Sequence, residues 1–373
     1  MRNAVGTKIE EVKDRRGLRE FLLFPWKVYQ DDPYWVPPLL LDLKQRLSPK
    51  NPFFERAKIE LFVAKRNGEV VGRIAAIRND VHVEVQNEKA GFFGLFESID
   101  DPEVGSSLID AASSWLKHQG MVLIRGPMSF STNDEIGLLV EDFQGRPRLM
   151  MPYNPPYYGK LLERCGMRKA KDLFAYDIEV PQVDLTDRVL KGAEAARRAG
   201  ITVRPVSLKR FTDEVFIIRE IYNIAWRHNW GFIPFSEHEI LFMAKSLKPL
   251  VVPELALIAE DQGKPVGFIL FLPDYNYVLA HLNGRLFPLG LLKFLYYRRK
   301  IEELRLLAFG ILPQYRRKGI DALFYVESFK YARGRYKRVE GSWILEDNLP
   351  SRHAAERLGA RPTKRYRVYE KAL

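Results

Sequence analysis

The sequence predicts an α/β fold made of two similar halves. Three observations carry this prediction: a length of 373 residues with 46% hydrophobic residues, an alternation of strand-like and helix-like stretches, and an internal repeat. A chain of this size and composition can bury one or two hydrophobic cores. The alternation is visible in the spacing of apolar residues, whose period is near two in strands and about 3.6 in helices.

The first half starts with a predicted helix and an extended proline-rich segment. The dipeptide Asn67-Gly68 then predicts a tight hairpin between two apolar strands. In order, we expect a helix over 13–29, an extended segment over 31–38, strands over 62–65, 70–77 and 92–96, a helix over 103–118, a strand over 121–125, a helix over 156–165 and a strand over 173–180.

The internal repeat joins segments near both ends of each half. The hairpin sequence of 62–72 recurs at 257–267 and leads into an apolar strand both times. Asn154, followed by the helical stretch 161–166, recurs as Asn348 followed by 354–359. Because the matches keep their order and nearly the same offset, they predict a duplicated domain.

The most informative part of the second half begins with an apolar strand over 306–311. A basic loop with Arg316, Arg317 and Lys318 beside Gly319 follows, and an amphipathic helix begins at about Asp321. A helix N-terminus offers unpaired N–H groups and the positive end of the helix dipole. The order strand, basic loop, helix therefore predicts an anion site.

A strand over 339–346, Asn348 and the helix over 354–359 complete this stretch, whose order resembles the core of the GNAT acyltransferase superfamily. The phosphate loop of that superfamily, Gln/Arg-x-x-Gly-x-Gly/Ala, matches residues 316–321 except at Asp321. Together with the repeat, the resemblance implies two GNAT-like domains in tandem, each with a central mixed sheet flanked by helices. The implied boundaries are 1–190 and 201–373, with a linker over 191–200 that is expected to be helical and to end at Gly200.

The resemblance also implies that the second half binds acetyl-CoA or another acyl-CoA as co-substrate. In the first half Asp100, Asp101 and Glu103 replace the basic loop and would repel a diphosphate, so we expect that half to be degenerate. Asp321 either caps its helix or repels the diphosphate. The expected cofactor-binding residues are Phe309, Gly310, Ile311, Arg316, Arg317, Lys318, Gly319, Ile320, Asp321 and Asn348.

Acyl transfer to an amine needs a base for the amine and a proton donor for the departing thiolate. Glu346, at the end of a predicted strand, is the candidate base. The tyrosine that often serves as donor in this superfamily would fall at Ala355, so Tyr366 or Tyr369 is the candidate donor. The acceptor is expected to contact Trp226, Asn229, Trp230 and Arg285. The sequence has no metal-ligand spacing, and no metal is expected.

The resemblance implies an N-acyltransferase (N-acetyltransferase) acting on a small amine or an aminoacyl acceptor. A net charge of +12 also suits a polyanionic partner, so transfer from aminoacyl-tRNA stays open. Asp321 and Ala355 instead favour a non-catalytic binding or regulatory protein.

We expect a cytoplasmic protein, because the first residues lack an apolar signal core and no stretch has the length of a membrane span. The single cysteine, Cys165, excludes an intramolecular disulfide and is expected to be a packed thiol. The most hydrophobic segment, 286–297, is followed by Arg298, Arg299 and Lys300. It either lies on a membrane surface or packs on its domain.

Overall fold

The computed structural model describes residues 6–183 and 185–373, which form two compact units. The first unit contains the described residues up to Leu173 together with 282–286 and 364–373. The second contains the described residues of 174–281 and 287–363. Residues 1–5, part of the segment predicted to lack a signal core, lie outside the described residues.

Strands and helices alternate along the described chain. The strands are β1 Lys8–Glu11, β2 Ala57–Arg66, β3 Glu69–Asn79, β4 Ala90–Ser98, β5 Leu123–Gly126, β6 Met128–Ser129, β7 Glu135–Ile136, β8 Leu138–Glu141, β9 Arg168–Glu179, β10 Ile201–Pro205, β11 Ala256–Asp261, β12 Lys264–Pro273, β13 Glu303–Ile311, β14 Arg338–Leu345 and β15 Arg361–Ala372. The helices are α1 Arg15–Leu23, α2 Pro25–Val28, α3 Leu40–Arg46, α4 Asp80–Gln86, α5 Pro102–His118, α6 Tyr158–Arg164, α7 Asp187–Arg198, α8 Phe211–Ala225, α9 Glu237–Leu247, α10 Asn276–Leu279, α11 Gly290–Tyr297, α12 Ile320–Ala332 and α13 Leu349–Arg357.

The first unit has a mixed sheet in the order β1-β2-β3-β4-β5, continued by the last part of β15. Strands β4 and β5 run parallel, whereas β1 to β4 form an antiparallel series. Helix α5 packs on this sheet through Leu108 and Leu116, both fully buried. The end of the chain therefore completes the sheet of the first unit, between Tyr369↔Gly126 and Ala372↔Leu123.

The second unit has a mixed sheet in the order β9-β14-β13-β12-β11-β10, in which β13 and β14 run parallel. Alternate residues of its strands point to two separate cores. Leu257 and Ile269 pack with α12, whereas Ile258 and Phe268 pack with α8. The prediction of an α/β fold with two mixed sheets flanked by helices is confirmed.

The two predicted hairpins have the same turn. Asn67 and Gly68 have φ values of 51° and 79°, and Gln262 and Gly263 have φ values of 48° and 77°. Two successive residues in the left-handed region are what a two-residue hairpin between twisted strands requires. This shared geometry confirms the hairpin part of the internal repeat.

Some predicted elements differ in the structure. The helix expected over 13–29 is divided into α1 and α2 at Pro25, where the ring cannot continue the hydrogen-bond ladder. The helix expected in the linker over 191–200 is present as the last part of α7, but α7 belongs to the second unit, where it packs against α12. Cys165 is buried in the first unit, and burial raises the pKa of its thiol to about 11.

Across residues 6–183 and 185–373, no helix is both long enough and apolar enough to cross a bilayer. The same residues contain no group of three or more His, Cys, Asp or Glu side chains arranged to hold a metal ion.

Candidate functional site

The second unit contains a cleft where two parallel strands separate. β13 and β14 are paired only from Glu303↔Arg338 to Leu306↔Gly341, although both strands continue further. On its other side, β13 has a bulge, because Leu270 is opposite Ala308 while Phe271 is opposite Leu306. Leu307 is the extra residue, and such a bulge bends the strand. The ends of β13 and β14 are thereby free to diverge.

The cleft opens into a cavity of about 870 Å³, whose lining residues all belong to the second unit. Its volume lies in the upper part of the usual range for small-molecule sites, roughly 300–1,000 Å³. The lining includes the turn after α8, one face of α12, residues along α13, and parts of β9, β12, β13 and β14. A ligand in this cavity would run from the loop before α12 into the gap between the strands.

The loop before α12 forms a turn that requires glycine. Gly319 is the N-cap of α12 with φ 76°, and a Cβ atom added there would lie 2.1 Å from the carbonyl oxygen of Gly192. The N-terminus of α12 has no side-chain cap. Its first N–H groups are therefore directed out of the helix toward any anion placed there. Asp321 lies in the first turn but does not cap the helix, which removes one of its two predicted roles.

The basic residues of this loop have different surroundings. Arg316 and Arg317 line the cavity, and Arg316 donates a 2.8 Å hydrogen bond from Nη2 to the carbonyl oxygen of Ala225. The Lys318 ammonium instead lies over the ring of Tyr315, 4.6 Å from its centroid. Ile320 is buried in the core. The two arginines are the cations of this loop that border the cavity.

β13 presents its backbone to the cavity at Phe309. The indole Nε1–H of Trp226 donates a 2.9 Å hydrogen bond to the carbonyl oxygen of Phe309. The N–H and C=O of one strand residue point to the same side, so the Phe309 N–H also points away from β12. Phe309, Gly310 and Ile311 all line the cavity. The position suits an N–H donor to a ligand carbonyl.

The turn after α8 forms the second wall of the cavity. Trp226, His228, Asn229 and Trp230 line it, and the ring of Trp226 lies 6.1 Å from that of Trp343 across the cleft. α8 ends at Ala225, so the four residues lie in a turn rather than on a helical face. Of the four predicted acceptor residues, the structure brings Trp226, Asn229 and Trp230 together. Arg285 is exposed and belongs to the first unit.

The end of the cavity away from the loop is apolar. Phe271, Leu304, Leu306, Phe329 and Ala332 line it. At the α13 side, small residues Ala354 and Ala355 form the wall, and Gly341 adds no side chain from β14. The alanine at position 355 thus leaves space where the resemblance places a tyrosine.

Neither Glu346 nor Tyr366 is among the residues that line this cavity. The lining includes Leu345 and Asp347 but not Glu346, whose carbonyl oxygen accepts a hydrogen bond from Arg352. Tyr366 is fully buried in the first unit, on the part of β15 that pairs with β8. The structure therefore does not bring Glu346 and Tyr366 together at the site. Asn348 does line the cavity, and its side chain caps α13 by accepting from the Ser351 N–H.

The titratable residues that line the cavity include His228 and Tyr325, neither of which was predicted as catalytic. His228 is exposed and borders the tryptophan-rich wall. Tyr325 reaches the cavity from α12, with its ring 6.2 Å from that of Phe309. Burial, and to a lesser extent the nearby Asp321 carboxylate, raises the pKa of the Tyr325 phenol. The phenol is therefore a proton donor rather than a base at neutral pH.

The equivalent strands of the first unit are covered by the chain itself. β4 and β5 pair only from Ala90↔Leu123 to Phe92↔Arg125, but the following segment returns onto β4. A Cβ atom on Gly94 would lie 2.0 Å from the carbonyl oxygen of Met128. Asp101 caps α5 and forms a 2.6 Å ion pair with Arg66, so this acidic residue stabilises the start of the helix.

Comparisons with known proteins agree with this geometry. The model of the acetyltransferase (GNAT) family matches residues 216–360, which include most of the cavity lining. The chain is 39% identical to Protein YghO of Escherichia coli (strain K12), over 96% of this chain and 94% of the relative. It is 35% identical to the bacterial ceramide synthase of Caulobacter vibrioides (strain NA1000 / CB15N), over 97% of this chain and 96% of that protein.

Solved structures show the same fold at low identity. A tandem GNAT protein from the clavulanic acid biosynthesis pathway is similar with a TM-score of 0.58 and 11% identity, covering 98% of each chain. The chain belongs to the GNAT family. A GCN5-related glucosamine N-acetyltransferase region of a fungal β-N-acetylglucosaminidase has a TM-score of 0.60 and 13% identity, covering 99% of this chain and 38% of that one. GNAT proteins generally use an acyl-CoA co-substrate, and this chain is a tandem, two-domain member.

Proposed function

We propose that the second unit is an acyl-CoA-dependent N-acyltransferase whose acyl group and amine acceptor are both lipid-like. One observation carries the proposal: a single cavity connects an uncapped helix N-terminus, flanked by Arg316 and Arg317, with an apolar end at Leu304 and Phe329. The first part suits a diphosphate, and the second suits a hydrocarbon chain.

The diphosphate of the acyl-CoA would bind at the N-terminus of α12, with the two arginines as counter-charges. The pantetheine arm would then follow the gap between β13 and β14. This arrangement places the thioester carbonyl near the Phe309 N–H, where developing negative charge on oxygen is stabilised. Gly319 is needed for this turn, because a side chain there would clash with the backbone of Gly192.

Amide formation joins the amine nitrogen to the acyl carbon and breaks the carbon–sulfur bond. In our proposal His228 accepts the proton that the amine loses, since it lines the cavity and histidine is the side chain that most often serves as a general base. Tyr325 then protonates the departing thiolate, because its phenol lines the cavity and is protonated at neutral pH. The products are an amide and coenzyme A as the free thiol.

The lipid-like substrate class rests on the apolar end of the cavity and on its small wall residues. A small amine or an aminoacyl acceptor, which the sequence suggested, would leave this apolar volume unfilled. The name of the Caulobacter relative, bacterial ceramide synthase, agrees, because a ceramide is the amide of a fatty acid and a long-chain amino alcohol. Transfer from aminoacyl-tRNA gains no support from an apolar cavity. We also propose that the protein is cytoplasmic, as expected from the sequence.

Asp321 favours the alternative of a non-catalytic binding protein, because its carboxylate lies in the first turn of α12 without capping it. Such a protein would bind acyl-CoA without releasing coenzyme A in the presence of any amine. Turnover therefore separates the two functions, whereas binding alone does not.

The test is thiol release from acetyl-CoA, octanoyl-CoA and palmitoyl-CoA, each offered with a small amine, an amino acid or sphinganine. We expect kcat/KM to be more than tenfold higher for palmitoyl-CoA than for acetyl-CoA, since each buried methylene contributes about 0.8 kcal/mol. Sphinganine is expected to be the best of the three acceptors. Preference for acetyl-CoA and a small amine would contradict the lipid-like substrates, and no thiol release with any pair would favour the binding protein.

A further inference from the structure

The segment 287–296, which includes most of α11, exposes large apolar side chains in the second unit. Phe287, Leu289 and Leu292 have exposed fractions of 65%, 67% and 66%, the largest in this segment. Leu291, Leu295 and Tyr296 are also exposed. We call these six residues the α11 surface. Soluble proteins rarely leave large apolar side chains side by side in water, so such a patch indicates an interaction site.

The opposite face of α11 is already packed on its own unit. Gly290 is buried, the ring of Phe294 stacks on Tyr275 at 5.5 Å, and the ring of Tyr297 stacks on His281 at 3.7 Å. These positions recur every three or four residues and lie on one side of the helix. These contacts fix the helix so that its other apolar face is directed outward. The predicted packing of this segment on its domain therefore explains the face with Gly290, Phe294 and Tyr297 but not the exposed face.

Exposed cations border the α11 surface. Lys293 lies within the helix, and Arg298, Arg299 and Lys300 follow it directly. The sequence has no acidic residue from Phe287 to Ile301. Apolar side chains beside a purely basic border are typical of helices that lie on anionic membranes.

We propose that the α11 surface docks on an anionic lipid bilayer. With eight residues, α11 is about 12 Å long at 1.5 Å per residue and would lie in the interface rather than cross the hydrocarbon core. The leucines and Phe287 would enter the acyl region, while the four cations would contact lipid phosphates. A second copy of the chain is a poorer partner, since this surface offers no carboxylate to pair with the cations of the other copy.

The docking does not depend on the proposed reaction, but it fits that reaction. The chain leaves the sheet of the second unit after Pro273 and returns at Glu303. Phe271 and Leu304, next to these points, line the apolar end of the cavity. The α11 segment is thus attached at the end of the sheet where a hydrocarbon chain is proposed to bind.

The test is flotation of the full chain with vesicles of phosphatidylcholine alone or mixed with phosphatidylglycerol. The parent is expected to float with the mixed vesicles and to stay unbound with phosphatidylcholine alone, because single short apolar helices need electrostatic attraction as well. The double variant Leu292→Glu with Leu295→Glu tests the α11 surface. The triple variant Arg298→Gln with Arg299→Gln and Lys300→Gln tests its basic border. Each is expected to lower vesicle binding at least about tenfold.

The matched control is Leu41→Glu with Leu190→Glu, two helical leucines that are 63% and 45% exposed on other surfaces. This control is expected to bind mixed vesicles like the parent. Circular dichroism and palmitoyl-CoA binding show whether each variant is folded. No flotation of the parent, equal flotation of the leucine variant, or binding that ignores lipid charge would overturn the proposal. A parent dimer that the leucine variant converts to a monomer, without vesicle binding, would assign the surface to a second copy.

Discussion

Replacement of His228 by glutamine is expected to lower kcat roughly a hundredfold, the lower end of the usual contribution of a positioned general base. The affinity for palmitoyl-CoA is expected to be unchanged, because His228 belongs to the turn after α8 and not to the loop before α12. Steady-state kinetics with sphinganine gives kcat, and calorimetry gives the dissociation constant. A loss in kcat without a loss in affinity is what removal of a base produces.

The matched control is His353→Gln, because His353 is an exposed histidine of the same unit that does not line the cavity. That variant is expected to keep the parent kcat. Full activity of His228→Gln together with a large loss in Asp347→Asn would assign the base to Asp347, which also lines the cavity.

Charge reversal of both loop arginines, Arg316→Glu with Arg317→Glu, is expected to weaken palmitoyl-CoA binding at least about a hundredfold. Hydrogen bonds to charged groups contribute about 1.5–3 kcal/mol each, and about 1.4 kcal/mol is a factor of ten in affinity. Two exposed arginines at the lower end of that range account for about 3 kcal/mol. Calorimetry with parent and variant measures the change.

Lys318→Glu is the control for this variant, since Lys318 belongs to the same loop but lies over Tyr315. We expect its effect on affinity to be at most a few-fold, because it adds long-range repulsion only. Arg316 also holds the end of α8 through Ala225, so the melting temperature of each variant must be recorded. Equal losses in the lysine and arginine variants would show a general charge effect instead of a phosphate site.

The fold was predictable because its signals are local in sequence. Asn67-Gly68 specifies a two-residue turn, and the same turn at Gln262-Gly263 reveals the repeat. The loop at 316–319 was also recognisable, since its cations, its glycine and its helix are contiguous. What the sequence could not supply was the surroundings of each cation, for example that Arg316 and Arg317 border the cavity while Lys318 lies over Tyr315.

The residues that we propose as catalytic were harder to predict, because their roles depend on contacts between distant segments. Tyr366 was chosen on the expectation that the last strand borders the cleft, but β15 pairs with β5 and β8 in the first unit. His228 stood in the segment that was expected to meet the acceptor, yet a lone histidine there carried no signal for a base. Tyr325 looked like any aromatic residue of an amphipathic helix.

The expectation that the first half is degenerate gains a second physical argument from the structure. The acidic residues Asp100 and Asp101 predicted a poor phosphate site from charge alone. The structure adds that the backbone of Met128 lies against Gly94, where a pantetheine arm would otherwise run. Such a contact between a loop and a strand leaves no pattern in the residues that make it.

Hydrogen–deuterium exchange of the full chain, with and without palmitoyl-CoA, tests most directly whether the second unit alone holds the cofactor. We expect slower exchange on binding in β13, the loop before α12, the first turns of α12 and β14. We expect no change in β4, β5 or the start of α5, where the chain covers the equivalent strands. Protection of β4 and β5, alone or together with β13 and β14, would show that the first unit also binds the cofactor.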